Sequence, residues 1–188
     1  ATAAVNDLLP KAWGALVFPR IADAALVFGG ASGDGVLAVR GDDGAWSAPA
    51  FYRYTAANAG LVIGATENQV LMLIMDKDTA RRFSGMTLDL GGSVRQIDGT
   101  RLKQHEATLN QAIDGIVTFA LGDGFWAGLT VQAAYVSPKS DALRRLYGQN
   151  ATVADVLFTD KWPRPEQAAP LYEALGTAGP DFAQPLRQ

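Results

Sequence analysis

The chain has no cysteine and only one histidine, His105, in 188 residues. Without cysteine, disulfides, thiolate nucleophiles and cysteine-based zinc sites are excluded. A Ser-His-Asp arrangement would have to use His105. No Gly-x-Ser-x-Gly elbow accompanies it and its surroundings are polar, so it reads as a surface side chain. Long apolar runs are also missing. The longest, Val70 to Met75, falls far short of the roughly 18 to 20 residues a spanning helix needs and suits a buried strand. Positive charge is not in excess either. A net charge of −3 argues against a general polyanion binder, so no nucleic-acid partner is expected.

Two glycine and aspartate signals also lack their chemical context. Gly29 to Gly35 superficially resembles a phosphate-cradling loop, but no Lys-Ser/Thr follows and the segment leads into a strand, which favours hairpin glycines. Asp34, Asp42 and Asp43 lack the Asp-x-Asp-x-Asp-Gly spacing and distant Glu of a calcium loop, and acids in turns have local backbone reasons to be there. No metal, cofactor or catalytic residue is expected, and the chain does not read as an enzyme.

What is present is apolar bulk: 48% of residues are hydrophobic, enough at this length for one sizeable core, so residues 1–188 read as a single domain. The first residue is Ala rather than Met, which fits either a processed exported protein or a trimmed chain; the first of these gives the expectation of a bacterial periplasmic or cell-envelope location.

Residues 3–12 carry Val5, Leu8 and Leu9 at helical spacing before Pro10, the pattern of a short frayed helix. Trp13 to Phe18 reads as a strand stopped by Pro19, followed by strands at Ala24 to Phe28 and Val36 to Val39 with a glycine hairpin between them. A second turn at Gly41-Asp42-Asp43-Gly44 leads into Trp46 to Tyr52, Gly60 to Gly64 and Val70 to Met75. Asp76 to Gly85 reads as a helix with acids at its start and arginines at its end. Met86, Leu88 and Leu90 then alternate with polar residues as in a half-exposed strand. Residues 95–112 are polar and unpatterned, and Ile116 to Ala120 and Leu129 to Val136 supply two more strands. Helices close the chain: Ser140 to Gly148, a Thr152-x-x-Asp155 capping box before Val156, and Pro165 to Leu175 ending at Gly176. The class is α+β, mainly β: a strongly curved antiparallel sheet or barrel-like core with short helices concentrated at the C-terminus.

Aromatic rings with a polar edge suit a boundary between water and lipid. Trp46 and Phe51 sit in strand-like runs and are expected in the core, whereas Trp13 and Trp126, beside glycines, are open to either role. Arg81, Arg82, Arg95, Arg101 and Lys103 concentrate positive charge in an otherwise acidic chain, interleaved with Asp76, Asp78, Asp89 and Asp98. They could seat an anionic head group if the fold brings them together.

Several segments in order resemble one family. They are Gly33 to Arg40, Gly44-Ala45-Trp46-Ser47-Ala48-Pro49, Gly60 to Gly64, Thr87 to Gly92, Gly124 to Thr130 and Leu146-Tyr147-Gly148. Asp155 to Phe158 and the closing Arg164-Pro165-Glu166-Gln167-Ala168 with Leu171 to Leu175 complete the series. Together they are similar to the SYLF domain found in bacterial exported proteins and eukaryotic endocytic adaptors. The likeness covers about residues 8–176, leaving 177–188 as an expected flexible tail. Trp46, Ser47, Pro49, Gly64, Gly128, Arg164 and Pro165 carry the family pattern. The resemblance implies phospholipid binding, often of acidic lipids, at a membrane surface, with no enzymatic activity. Lys11, Trp13, Arg20, Arg81, Arg82, Arg101 and Lys103 are the candidate lipid-binding residues. A protein partner in the cell envelope is the alternative. The family's lysine-rich amino-terminal helix is reduced here to Lys11, so actin is not expected as a partner.

Overall fold

Strand β1 (Gly14–Ala25) sets the pattern of the sheet. Leu16 and Phe18 are wholly buried on one side and Ala15 on the other, because successive side chains of a strand point to opposite faces. The computed structural model describes residues 2–25, 28–59, 64–90, 115–121 and 131–176. Within them β1 is joined by β2 (Phe28–Val39), β3 (Ala50–Ala59), β4 (Gly64–Ile74), β5 (Leu88–Asp89), β6 (Ile116–Leu121) and β7 (Val131–Pro138). The strands form one antiparallel sheet in the order β5-β7-β3-β2-β1-β4-β6, curled into a half-barrel. The mainly β, antiparallel architecture expected from the sequence is the one found.

Each face of the sheet has its own cover. Leu16, Phe18, Leu37, Tyr52, Tyr54, Met72 and Ile74 line the inner face. Three short helices close over it: α2 (Lys77–Arg82), α3 (Ser140–Tyr147) and α4 (Val153–Phe158). They and the residues just beyond α2 contribute Ala80, Phe83, Leu143, Val156 and Leu157. On the outer face, Ala15, Ala38, Leu73, Val117 and Phe119 are covered by the two ends of the chain. From the amino-terminal end, α1 (Thr2–Leu8) and a 3₁₀ turn (Leu9–Lys11) bring Val5, Leu8 and Leu9. From the other end, α5 (Ala169–Leu175) brings Leu171, Tyr172 and Leu175. Each large side chain so removed from water contributes about 1.5–3 kcal/mol. Farther along the outer face, toward β3 and β7, Asp34, Arg53, Thr55 and Tyr135 are exposed.

Helix ends follow the chemistry expected of them. Asp76 caps α2 by accepting from the Thr79 amide at 2.7 Å, and Thr152 caps α4 by accepting from the Asp155 amide at 3.1 Å. Gly176 ends α5 with φ +67, a left-handed angle that glycine adopts without strain.

Two expectations about the first half of the chain need correction. Pro19 does not end a strand: β1 continues through it to Ala25, with the register shifting between Phe18 and Ile21. A bulge is where a strand tolerates a residue that cannot donate to the ladder. Likewise the glycines from Gly29 to Gly35 are strand interior, not turn. The connection between β1 and β2 falls on residues 26–27, outside the described residues. Gly33 and Gly35 are required by packing. A Cβ at Gly35 would lie 2.5 Å from Phe18 Cδ1, and one at Gly33 would meet the Arg20 carbonyl and, at 2.8 Å, Ile21 Cγ1. The missing side chain lets Phe18 reach over β2 to meet Tyr54 of β3 edge-on at 5.8 Å.

Smaller departures follow from local burial. Met86 was expected on an apolar face with Leu88 and Leu90. Those two are buried, whereas Met86 is 64% exposed and precedes the short strand. Trp46 is buried as expected but lies before β3, joined to Arg40 by an isolated bridge. Phe51 is half-buried against the inner core. The closing helix is a 3₁₀ turn at Glu166–Ala168 running into α5.

Candidate functional site

One corner of the sheet gathers several candidates. Trp13 is held there by backbone: its amide donates to the Ile74 carbonyl at 2.7 Å and its carbonyl accepts from the Arg40 amide at 2.8 Å. It therefore sits between the end of β4 and the end of β2. From β4 the chain passes through Met75 and the cap residue Asp76 into α2, which places Lys77 beside Trp13. The Lys77 ammonium lies 5.3 Å from the centre of the Trp13 ring, within reach of the attraction between a cation and an aromatic face. Lys77 also forms an ion pair with Asp42 of the turn that follows β2. Arg81 stands one helical turn after Lys77, on the same side of α2, and pairs with Asp78 at 3.3 Å.

The turn itself is built by other atoms. The Gly44 amide donates to the Gly41 carbonyl at 2.9 Å, and the Ala45 amide donates to Asp43 Oδ1 at 3.0 Å. Asp42 is left with its side chain 76% exposed. Its carboxyl is held below the usual range first by the hydrogen bond from Lys77, with Arg81 adding a smaller attraction. Lys11 and Arg82 are exposed nearby in sequence to Trp13 and Arg81.

The structure thus joins Trp13 with Arg81, through Lys77 and Asp42. It does not bring Arg20 to them. Arg20 is exposed at the β1 bulge, six residues beyond Gly14, or roughly 20 Å along the strand at its ordinary rise. Arg101, Lys103 and Gly128 fall outside the described residues, as do His105, Trp126 and the tail 177–188. Lys77 and Asp42 were missed as a pair by the sequence reading. The available signal was the spacing of Lys77 and Arg81, four residues apart after a capping Asp76.

The residues of the family pattern form a different assembly. Arg40, only 5% exposed, donates from Nε to the Ala12 carbonyl at 3.1 Å, from Nη1 to Gly44 at 3.2 Å and from Nη2 to Leu9 at 3.3 Å. Its guanidinium stacks 4.1 Å from the centre of the Trp46 ring, and burial lowers its pKa from the ordinary value. Trp46 Nε1 in turn donates to the Gly176 carbonyl at 3.3 Å. Tyr172 donates to the Ser47 carbonyl at 2.8 Å, and Tyr147 donates to the Pro49 carbonyl at 2.8 Å. Burial pushes the Tyr172 hydroxyl up to about 12 and raises that of Tyr147, so both remain donors at any ordinary pH. Arg164 lies 5.0 Å from the Tyr172 ring centre, and the Pro165 carbonyl accepts from Ala168 to start the last helical segment. Gly64 opens β4 opposite Ala25. The Trp-Ser-Ala-Pro segment is therefore a rail on which the closing helices dock, and Arg40 ties that rail to the amino-terminal turn. No helix among the described residues is long and apolar enough to cross a membrane.

Comparison with known proteins identifies the family of the chain. A family model described as "Ysc84: Las17-binding protein actin regulator" matches residues 55–178. "LAS seventeen-binding protein 3" of Saccharomyces cerevisiae is 29% identical over 173 residues, covering 90% of this chain and 37% of its own. "SH3 domain-containing YSC84-like protein 1" of Pongo abelii is 31% identical over 147 residues, 76% of this chain and 42% of its own. The human protein of the same name is 29% identical over 145 residues, 76% and 42%. The chain thus spans about two fifths of the length of the curated relatives it matches. No solved structure matches it significantly. The expectation that actin is not a partner gains no support, since the matched family is described as an actin regulator. With most of the chain matched by the family model, the chain belongs to the Ysc84 family of SYLF domains.

Proposed function

We propose that this chain is a non-catalytic, phospholipid-binding domain that acts at a membrane surface. The observation that carries the reading is the corner where an exposed lysine, Lys77, lies over the half-buried ring of Trp13 with Arg81 one helical turn away. Indole prefers the boundary between head groups and acyl chains. Surface cations near an acidic leaflet contribute about 1 kcal/mol each. Lys11 and Arg82, exposed close in sequence to Trp13 and Arg81, remain candidates with Arg101 and Lys103, and Arg20 would need a second contact area. Asp42, Asp43, Asp76 and Asp78 stand among these cations, so attraction to acidic lipid would be moderate and strongly dependent on salt.

Co-sedimentation with neutral and acidic vesicles, at low and physiological salt, tests the reading. Binding to acidic vesicles that weakens with salt and is lost in Lys77→Glu/Arg81→Glu is expected. Absence of binding to every vesicle would sink it.

One observation favours a second reading. The yeast relative carries Las17 binding in its name, and its name describes a protein partner, not a lipid. Sedimentation with filamentous actin but with no vesicle would put this reading first. The relatives named above come from yeast and mammals and give no support to the bacterial envelope setting expected from the sequence. Fractionation of the source cells decides it.

A further inference from the structure

We propose that Asp42 is an internal stand-in for a phosphate: an acidic head group binds at this corner by displacing the Asp42 carboxylate from Lys77, beside Arg81 and above the Trp13 ring. This rests on the lipid reading and sharpens it by naming what the lipid must compete with.

The argument begins with α2. Lys77 and Arg81 are four residues apart on a helix, and like charges at that spacing repel. Two acids supply the compensating charge: Asp78 of the same helix pairs with Arg81, and Asp42 of the turn after β2 pairs with Lys77. Nothing in the turn's own construction uses this side chain. The backbone bond from Gly44 to Gly41 and the Asp43 carboxylate, which accepts from Ala45, hold the turn closed. Asp42 is therefore a three-quarters exposed anion placed against Lys77, which lies beside an indole. An exposed ion pair of this kind stabilises by only about 0.2–1 kcal/mol. A phosphate offers more charge and more acceptor oxygens than a carboxylate, so it can replace Asp42 at small cost. Lys77 has the Trp13 face beneath it in either state. The corner is thereby kept neutral in water and becomes available where acidic head groups are concentrated.

The test measures binding of the whole chain to phosphatidylcholine vesicles with and without phosphatidic acid. Four proteins are compared: wild type, Asp42→Asn, Asp42→Asn/Lys77→Gln, and Asp141→Asn. The last removes an equally exposed, ion-paired acid, which contacts Arg144 of α3, and so controls for net charge. Asp42→Asn is expected to bind acidic vesicles about two- to fivefold more tightly at low salt, the ratio that releasing one exposed ion pair allows. The gain should vanish in the double variant and on pure phosphatidylcholine. Thermal unfolding of Asp42→Asn should fall short of wild type by no more than the small contribution of that one exposed pair, because the turn does not depend on it.

If wild type binds acidic vesicles and Asp42→Asn gains no more than Asp141→Asn, the stand-in idea is overturned while the lipid reading survives. If none of the four proteins binds, both fail. Soluble glycerol phosphate added to the Asp42→Asn complex separates a phosphate seat from diffuse attraction. Release beyond that caused by sodium chloride of equal ionic strength supports the seat, and equal release overturns it.

Discussion

Three tryptophans among the described residues have a cation over the ring, and at two of them, Trp46 and Trp13, burial makes the pairs different objects. At Trp46 the cation is Arg40, 5% exposed, with its guanidinium donating to three carbonyls from two segments of the chain. At Trp13 the cation is Lys77, with its side chain 38% exposed and ion-paired to the 76% exposed carboxylate of Asp42. A buried guanidinium must have its donors satisfied, so Arg40 is committed to the fold. A surface ammonium keeps its hydration and can change partners at little cost. The same pairing of residue types thus acts as a structural tie in one place and as a candidate contact in the other, and accessibility decides which.

The sharpest way to break this comparison is to remove both cations. Arg40→Met takes a donor from the carbonyls of Leu9, Ala12 and Gly44, of which Leu9 keeps the bond from the Ala12 amide, and each buried unsatisfied group costs about 1–3 kcal/mol. With the carbonyls of Ala12 and Gly44 left buried, a total of about 3 kcal/mol is expected. Lys77→Met should change stability by less than about 0.5 kcal/mol while weakening binding to acidic vesicles. Urea unfolding of the two variants, read as midpoint shifts at constant slope, checks the ranking. Equal destabilisation would remove the distinction between tie and contact.

The next effect is smaller and concerns where the tie leads. Trp46→Phe keeps a ring under Arg40 but deletes the bond to the Gly176 carbonyl, a loss of about 1 kcal/mol. Hydrogen exchange should quicken in Ala169–Leu175, whose docking Trp46 supports, and should stay unchanged in Ser140–Tyr147. Exchange that rises equally in both helices would mean that Trp46 supports the whole fold rather than this joint.

How much of this could be seen beforehand follows the range of the interactions. The antiparallel sheet, the caps Asp76 and Thr152 and the terminal glycine of the last helix were legible, because alternation and capping are encoded within a few residues. Pro19 and the glycines of β2 were misread for the opposite reason: whether proline ends a strand or sits in a bulge depends on the register of the neighbouring strand. Likewise whether Gly35 turns or packs depends on Phe18 across the sheet. Arg40 gave no sign because its partners are backbone carbonyls, which every residue possesses. The Trp46-Ser47-Ala48-Pro49 and Leu171 to Leu175 segments were each recognisable, but their contact across more than a hundred residues was not. At the corner, Trp13 and Arg81 were named from composition, whereas Lys77 and Asp42 acquire meaning only once α2 and the turn after β2 are neighbours.

The smallest effect tests accessibility without a ring. Asp34 on β2 pairs with Arg53 at 2.8 Å and with Lys139, and its carboxyl is lowered to about 2, chiefly by the hydrogen bond from Arg53. The folded pKa lies below the ordinary 3.8, so the pair's contribution is complete above about pH 4 and is lost as the pH falls towards 2. Geometry alone would make this a strong interaction. With the Asp34 and Arg53 side chains about half exposed, solvent screening holds it below about 1 kcal/mol. Asp34→Asn should therefore be less stable than wild type by that small amount at neutral pH. The two unfolding curves should converge as acid protonates Asp34 in the wild type. A deficit above about 2 kcal/mol at neutral pH, far outside the usual range for an exposed pair, would mean that geometry outweighs exposure here. The contrast drawn between Arg40 and Lys77 would then need another cause.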